Sequence, residues 1–488
     1  MSSKFYITTA IAYVNAAPHM GHTMEYIMTD AIARYMRMIG RETHFLTGTD
    51  EHGTKIYNTA LKAGEQPQAF VDKFAQTFID LKQTLNLSWD DFIRTTDQKR
   101  HFAGCQKLWE KLEEAGDLYL KDYEGLYCEG CETFIPEKDL VEGKCAIHLK
   151  APVLVKESNY FFRLSKYSDA IKKLFETGAL KIVPEYRQHE FMALLNEGLH
   201  DVSFSRPKST LPWGIPVPGN PDQMMYVWCD ALTNYISALD YAHDGPLFKK
   251  FWPADMHVIG KDIVRFHAGI WIGMLLSAKI APPKAILVHG FLTRNGQKMS
   301  KSLGNVLDPI EVVQTYGIEA LRYYLLREIP VGRDGDFSDQ LFKDRYNAEL
   351  ANNLGNLVNR LHNMAGKYEV KELKPTKAEC HEAIKMALEA YHAHMTAYEL
   401  HEAVQVTWRL IDFANKRIDD TKPWALAKTD LPATQQVLMD LLEVLRNVAF
   451  MITPFLPETG DKIRSILGFG EGAWKGLGEA KILFPRIE

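Results

Sequence analysis

The first sixty residues change hydrophobic period three times. "KFYITTAIAY" (4–13) is a nearly unbroken apolar and β-branched run closed by the turn "VNAAP", and it reads as a buried strand. "TMEYIMTDAIARYMRMIG" (23–40) carries apolar residues at helical spacing and ends on glycine. "THFLTGTD" (43–50) returns to a strand pattern, and "GTKIYNTALKAG" is helical again. Strand, helix, strand, helix predicts a parallel sheet with crossover helices. The alternation stops near residue 115. Residues 118–150 read as short, turn-rich pieces, and 151–222 join one helix ("KYSDAIKKLFETG") to the Pro/Gly-rich "RPKSTLPWGIPVPGNPD". Alternation resumes with the strands "MMYVW" (224–228), "MHVIG" (256–260) and "KAILVHG" (284–290), the last two joined by a helix over 263–278.

The pattern predicts one α/β domain in two halves, 1–115 and 223–290, split by an insertion over 116–222. A loop region over 291–340 follows. Beyond it, 341–488 reads as an all-helical domain, with amphipathic segments near 377–397, 398–420 and 434–452 and Ser338 as N-cap of the first helix.

Totals narrow the class without naming it. The chain has 488 residues, 46% hydrophobic and 24% charged, with a formal charge of −5 from 57 basic and 62 acidic side chains. This argues against a generally basic nucleic-acid coat but leaves room for a local basic surface. No apolar run approaches the roughly 20 residues of a membrane span. The N-terminal strand lacks the basic leader and cleavage site of an export signal, and six cysteines in so long a chain do not suggest a disulfide scaffold. The expected compartment is the cytoplasm.

Three motifs carry chemistry. "HMGH" (19–22) lies between the first strand and the first helix, where α/β folds bind nucleotides. Gly21 permits close approach, the helix N-terminus favours anions, and His19 and His22 add donors. "NGQKMSKSLGN" (295–305) follows a strand of the second half, and its Lys298, Met299, Ser300, Lys301 and Ser302 supply phosphate donors. Read alone, each is a polar turn; together they frame an anion. Gly296 and Gly304 read as the flexible margins of a lid. Third, Cys128, Cys131, Cys145 and His148 have the C-x2-C…C-x2-H spacing of a structural zinc knuckle whose four protein ligands leave no place for water.

The first two motifs in this order resemble the signatures of class I aminoacyl-tRNA synthetases. "KMSKS" matches letter for letter, and "HMGH" has Met20 where isoleucine is usual. "FYITTAIAYVNAAPHMGH", "FLTGTDEHG", "YVWCDALTNY", "HVIGKDIVRFH" and "KPWALAK" resemble, in order, the blocks of the branch of that family that handles methionine. The resemblance implies a Rossmann-like parallel sheet split by a zinc-binding connective insertion and followed by a helical-bundle anticodon-binding domain. It implies a ligase that makes methionyl-adenylate and pyrophosphate from methionine and ATP, then charges tRNA(Met), with Mg2+ accompanying ATP and one structural Zn2+.

By the same resemblance, the methionine pocket comprises Ala10, Ile11, Tyr13, Trp228, Ala231, Leu232, Tyr235, Ile263 and His267, with Asp50 pairing the substrate ammonium. His19, His22, Lys298 and Lys301 act on the phosphates. Gly260, Lys261 and Asp262 flank the adenosine site. Asn359, Arg360 and Trp424 meet the anticodon. Ile11 and Leu232 stand where leucine and proline are common, and His148 stands where many members have cysteine. The insertion is too small for an editing domain. The dimerising C-terminal module of some members is not found after "ILFPRIE", so a monomer is expected. A different nucleotidyltransferase of the superfamily would leave the knuckle and the helical domain unexplained. A non-catalytic tRNA-binding relative would not need both motifs and Asp50.

Overall fold

The computed structural model describes residues 3–130, 132–135, 137–146, 149–299, 305–470, 474 and 476–487. The chain divides into two compact units, one of residues 1–18 with 40–289 and one of residues 19–39 with 290–488.

The first unit is built on a seven-stranded sheet in the order Lys181–Val183, Ala285–His289, Met256–Gly260, Lys4–Thr9, Glu42–Asp50. Ala12–Tyr13 and Asp91–Arg94 also pair with Glu42–Asp50. Every pairing is parallel. Parallel strands need crossovers and are covered on both faces, so the inner strands read as continuous apolar runs. Met256–Gly260 is buried throughout, as is Lys4–Thr9 after its first residue.

Three expectations change here. "MMYVW" does not rejoin the parallel sheet. Met224 and Met225 pair antiparallel with Arg206 and Ser205 in a small three-stranded sheet, and Val227–Leu232 is already helical. Five apolar residues in a row suit a strand in any sheet, so periodicity could not choose the partner. The "turn-rich" stretch after 118 instead opens with an eleven-residue strand, Leu118–Cys128, antiparallel to Val153–Phe162. Its exposed Lys121, Asp122 and Glu124 disguise a ribbon with little buried surface. Lys181–Val183 lies inside the segment expected as insertion yet forms an edge of the parallel sheet.

The second unit contains the helix Met20–Met38, a three-stranded sheet (Leu292–Arg294, Gln297–Lys298, Gly335–Phe337) and a succession of helices. Among these are Ile318–Glu328, Asn356–Lys367, Ala378–Thr396, Leu400–Thr421 and Leu431–Ile452. Ser338 caps Asp339–Arg345, its hydroxyl accepting from the Leu341 N–H at 3.3 Å. A fully buried guanidinium ties the unit together. Arg322 lies 2.7 Å from the Asp30 carboxylate and donates to the carbonyls of Phe455 (2.7 Å) and Pro454 (3.1 Å). Among the described residues no helix is long and apolar enough to cross a membrane.

Candidate active site

Because the strands are parallel, their carboxyl ends share one edge of the sheet, where open α/β folds bind ligands. Ala10, Ile11 and Tyr13 follow or end the first two strands, Asp50 ends Glu42–Asp50, and Gly260–Ile263 follows Met256–Gly260. The short helices Val227–Leu232 and Asn234–Ser237 carry Trp228, Ala231, Leu232 and Tyr235. Of the apolar residues assigned to the methionine pocket, Ala10, Ile11, Tyr13, Trp228, Leu232, Tyr235 and Ile263 belong to, or pack against, one hydrophobic cluster of the first unit.

The aromatic part of that cluster is highly ordered. Trp228 stacks on Phe266 with centroids 3.8 Å apart and planes 5° apart. His267 shares Nδ1 with the Ile263 carbonyl at 3.0 Å, which makes Nδ1 the donor and Nε2 the acceptor for the Tyr235 hydroxyl at 2.8 Å. Burial lowers His267 to about 4, so the ring is neutral near pH 7. Tyr235 in turn stacks on His257 at 4.1 Å, and its carbonyl accepts from Tyr6 Oη at 2.8 Å. A neutral, polarizable wall of this kind suits a thioether. Phe266 was not picked from the sequence, because "IVRFHAG" reads simply as a buried helix.

Asp50 differs from the carboxylate beside it. Its neighbour Glu51 is fully engaged, by Arg94 in a two-pronged pair (2.7 and 2.9 Å) and by Thr49 at 2.6 Å. The buried Asp50 carboxylate accepts from the His52 N–H, but its Oδ1 has no partner. Burial, then the carboxylates of Asp230, Glu132 and Glu51, push its pKa well above the ordinary range. Such a group lacks a cation.

Asp230 behaves oppositely. His52 Nδ1 lies 2.6 Å from one oxygen and His101 Nε2 2.7 Å from the other. Burial raises its pKa, but the two histidines outweigh burial and hold the carboxyl below the usual range. His101, Cys105 and Asp230 offer ligand atoms within 4.8 Å of one another. In this structure they are tied to one another and to Ser237: His101 Nδ1 bonds the Ser237 hydroxyl at 2.8 Å and Cys105 Sγ lies 3.3 Å from His101 Nε2. Sequence reasoning missed this network, whose members are 129 and 178 residues apart along the chain.

In the second unit, "HMGH" starts its helix three residues earlier than the apolar period suggests, at Met20, with His19 as N-cap. His19 Nδ1 accepts from the Gly21 N–H at 3.1 Å, and His22 Nδ1 accepts from the His19 N–H at 3.2 Å. The rings stack with centroids 3.8 Å apart. Both Nδ1 atoms are acceptors, so the proton of each neutral ring sits on Nε2. A Cβ on Gly21 would fall 2.9 Å from His19 Cε1, so a larger residue there would push the His19 ring from its present place in the stack.

The second motif is described in part. Lys298 closes the hairpin Leu292–Arg294 to Gln297–Lys298, and Met299 follows it; Ser300, Lys301, Ser302 and the Lys298 side chain lie outside the described residues. Gly296 is not a loose margin. Asn295 and Gly296 both have positive φ (50° and 75°), as a two-residue hairpin turn demands, and Asp336 accepts from the Gly296 N–H at 2.8 Å. Gly304, its expected counterpart, lies outside the described residues.

Gly260 is buried at its strand end, and a Cβ there would lie 2.8 Å from Asp262 Oδ1. Lys261 and Asp262 occupy the following turn. Of the knuckle, Cys128 ends its long strand and Cys145 sits on the hairpin Leu140–Val141 to Lys144–Cys145, both buried. Cys131 and His148 lie outside the described residues. Asn359 and Arg360 lie on Asn356–Lys367, with Arg360 3.2 Å from Asp419, and Trp424 is 44% exposed on Pro423–Leu426.

Comparison with known proteins fits this geometry. The family model described as class I tRNA synthetases (M) matches residues 5–147 and 137–362. The model for the anticodon binding domain of methionyl tRNA ligase matches 369–484. Sheet, motifs and helical domain thus define a class I aminoacyl-tRNA synthetase. The methionine–tRNA ligase of Thermotoga maritima is 43% identical over 479 residues, covering 96% of this chain and 76% of that one. That of Mycobacterium tuberculosis is 42% identical, covering 95% and 92%. The methionyl-tRNA synthetase of M. tuberculosis in complex with methionyl-adenylate superposes with a TM-score of 0.94 at 39% identity, over 99% of this chain and 100% of that one. The chain belongs to the methionine–tRNA ligases, enzymes that form aminoacyl-tRNA.

Proposed function

We propose that these residues divide the two-step charging of tRNA(Met) as follows. Methionine lies with its thioether against Trp228, Tyr235 and His267, between Ala10, Ile11, Tyr13, Ala231, Leu232 and Ile263, and with its ammonium on Asp50. The unpartnered Asp50 oxygen is the observation that carries this reading. The methionine carboxylate, already ionised, attacks the ATP α-phosphate, so the enzyme supplies position and charge rather than a general base. ATP enters with its Mg2+. His19 and His22 donate to the phosphates through Nε2–H with Gly21 giving access, Gly260, Lys261 and Asp262 hold the adenosine, and Met299, Ser300 and Ser302 line the lysine loop. Lys298 and Lys301 offset charge building toward pyrophosphate. In the second step a ribose hydroxyl of the tRNA 3′ end attacks the adenylate carbonyl, forming the aminoacyl ester and breaking the acyl–phosphate bond, with AMP as leaving group and the hydroxyl proton released.

Trp424, an exposed aromatic after Pro423, stacks on an anticodon base, and Asn359 and Arg360 contact base edges or phosphate, Arg360 exchanging Asp419 for RNA. The donor chemistry of Cys128, Cys131, Cys145 and His148 fits one zinc ion, which cross-links the strand end to the hairpin when bound.

Two measurements test these assignments. Pyrophosphate exchange into ATP is expected to require methionine and to proceed poorly with any other amino acid; its absence with methionine would refute the reading. Metal analysis of purified protein is expected to return one equivalent of zinc per chain, and full activity in metal-free protein would remove the knuckle from the account.

A further inference from the structure

We infer that Glu132 is a positioning residue for the methionine pocket: lying next to Cys131 in the knuckle, it holds the Tyr13 hydroxyl and the turn at Gly53–Lys55. This rests on the assignment of Tyr13 to the pocket, and it gives the insertion a part in substrate binding.

The contacts all lie within the first unit. Glu132 is 5% exposed. Its Oε1 accepts from Tyr13 Oη at 3.0 Å and from the Lys55 N–H at 2.7 Å, and its Oε2 accepts from Tyr127 Oη. A non-glycine residue in the left-handed region costs free energy, and Glu132 has φ 51°. Three hydrogen bonds to one carboxylate are a sufficient compensation.

Two neighbours are shaped around this contact. Gly53 has φ 110°, and a Cβ on it would fall 2.5 Å from Tyr13 Oη and 3.0 Å from Glu132 Oε1. Only glycine lets the chain pass there. On the far side, Arg206 lies 4.1 Å over the Tyr127 ring and grips Glu157 with two bonds of 2.5 and 2.8 Å. The insertion is therefore braced from Glu157 through Arg206 and Tyr127 to Glu132, and Glu132 ends on Tyr13, whose register partner is Asp50.

A simple staple between insertion and sheet would cost stability when cut and leave methionine affinity alone. A positioning role moves affinity. Glu132→Ala is expected to raise the KM for methionine in pyrophosphate exchange by about tenfold with little change in kcat, since only uniform binding is lost. Glu132→Gln should recover most of this. Its amide oxygen still accepts from Tyr13 and Lys55, and its amide nitrogen can donate to Tyr127. Tyr13→Phe cuts the same bond without touching the knuckle. It should match Glu132→Ala, and the double variant should be no worse than either. If Glu132→Ala does not fold, Glu132→Met fills the space without an acceptor and carries the same expectation. Zinc content, measured on each protein, should stay at the wild-type level.

An unchanged KM in Glu132→Ala or Glu132→Met, effects that multiply in the double variant, or a KM that rises only with metal loss would overturn the inference. If Tyr13→Phe raises KM and the Glu132 variants do not, the inference alone falls. If Tyr13→Phe leaves KM unchanged, the pocket assignment falls and takes the inference with it.

Discussion

Asp50→Asn is expected to raise the KM for methionine roughly 100- to 1000-fold, the equivalent of about 3–4 kcal/mol, because the ammonium would lose the counter-charge proposed for it. The free protein should not suffer. Burial and the carboxylates of Asp230, Glu132 and Glu51 raise the Asp50 pKa well above the ordinary range. Its folded pKa therefore exceeds its unfolded one, and the native state loses stability as pH rises through the folded value. Asparagine removes that penalty, so thermal unfolding near neutral pH should show an equal or higher midpoint. Binding follows the opposite course. If methionine pairs with the ionised carboxylate as proposed, wild-type affinity should fall as pH drops through the raised pKa, and Asp50→Asn should lose that dependence. A variant that unfolds early yet binds methionine normally would contradict both halves.

Lys301→Ala is expected to lower the rate of adenylate formation by about 100- to 1000-fold while methionine affinity holds, the scale of one lost preorganised charge in a transition state. The two substitutions separate cleanly. Asp50 is proposed to pair a charge that the substrate always carries, so its loss appears in KM. Lys301 is proposed to meet charge that develops only as pyrophosphate departs, so its loss appears in kcat. Stopped-flow measurement of adenylate formation at saturating methionine checks it, and an equal loss in rate and methionine affinity would count against that role.

What could be read along the chain was local. Met256–Gly260 appears as the "MHVIG" run predicts, because a buried parallel strand is a bounded apolar run. Ser338 caps a helix through its own side chain, three residues from its partner. The methionine pocket itself was legible only by resemblance, since Trp228, Tyr235 and His267 each look like ordinary core. What escaped was set by distance. Asp230 meets His52 across 178 residues and Glu132 meets Tyr13 across 119, and no periodicity encodes either. "HMGH" escaped differently. Histidine is not a common N-cap, so the helix was expected to begin only after the motif, whereas the two rings cap it themselves. Nor could composition tell that Asp50 would be left with an unpartnered oxygen while Glu51 beside it would be saturated.

The buried pair of Arg322 and Asp30 bears on how the polypeptide can be cut. The backbone passes between the two compact units three times, after Pro18, Ile39 and His289. A fragment beginning at Gly290 would contain almost all of the helical unit by length, yet it would leave Asp30 behind. Its guanidinium would keep the Phe455 and Pro454 carbonyls but lose its ion pair with Asp30. Removing one partner of a buried ion pair costs about 3–5 kcal/mol, a large share of what holds a domain folded. The anticodon-binding half is a module on a sequence map, yet residues 19–39 from near the N-terminus cluster with it, and 14 of the 19 residues of Met20–Met38 are buried, so a cut at Gly290 is expected to destabilise it.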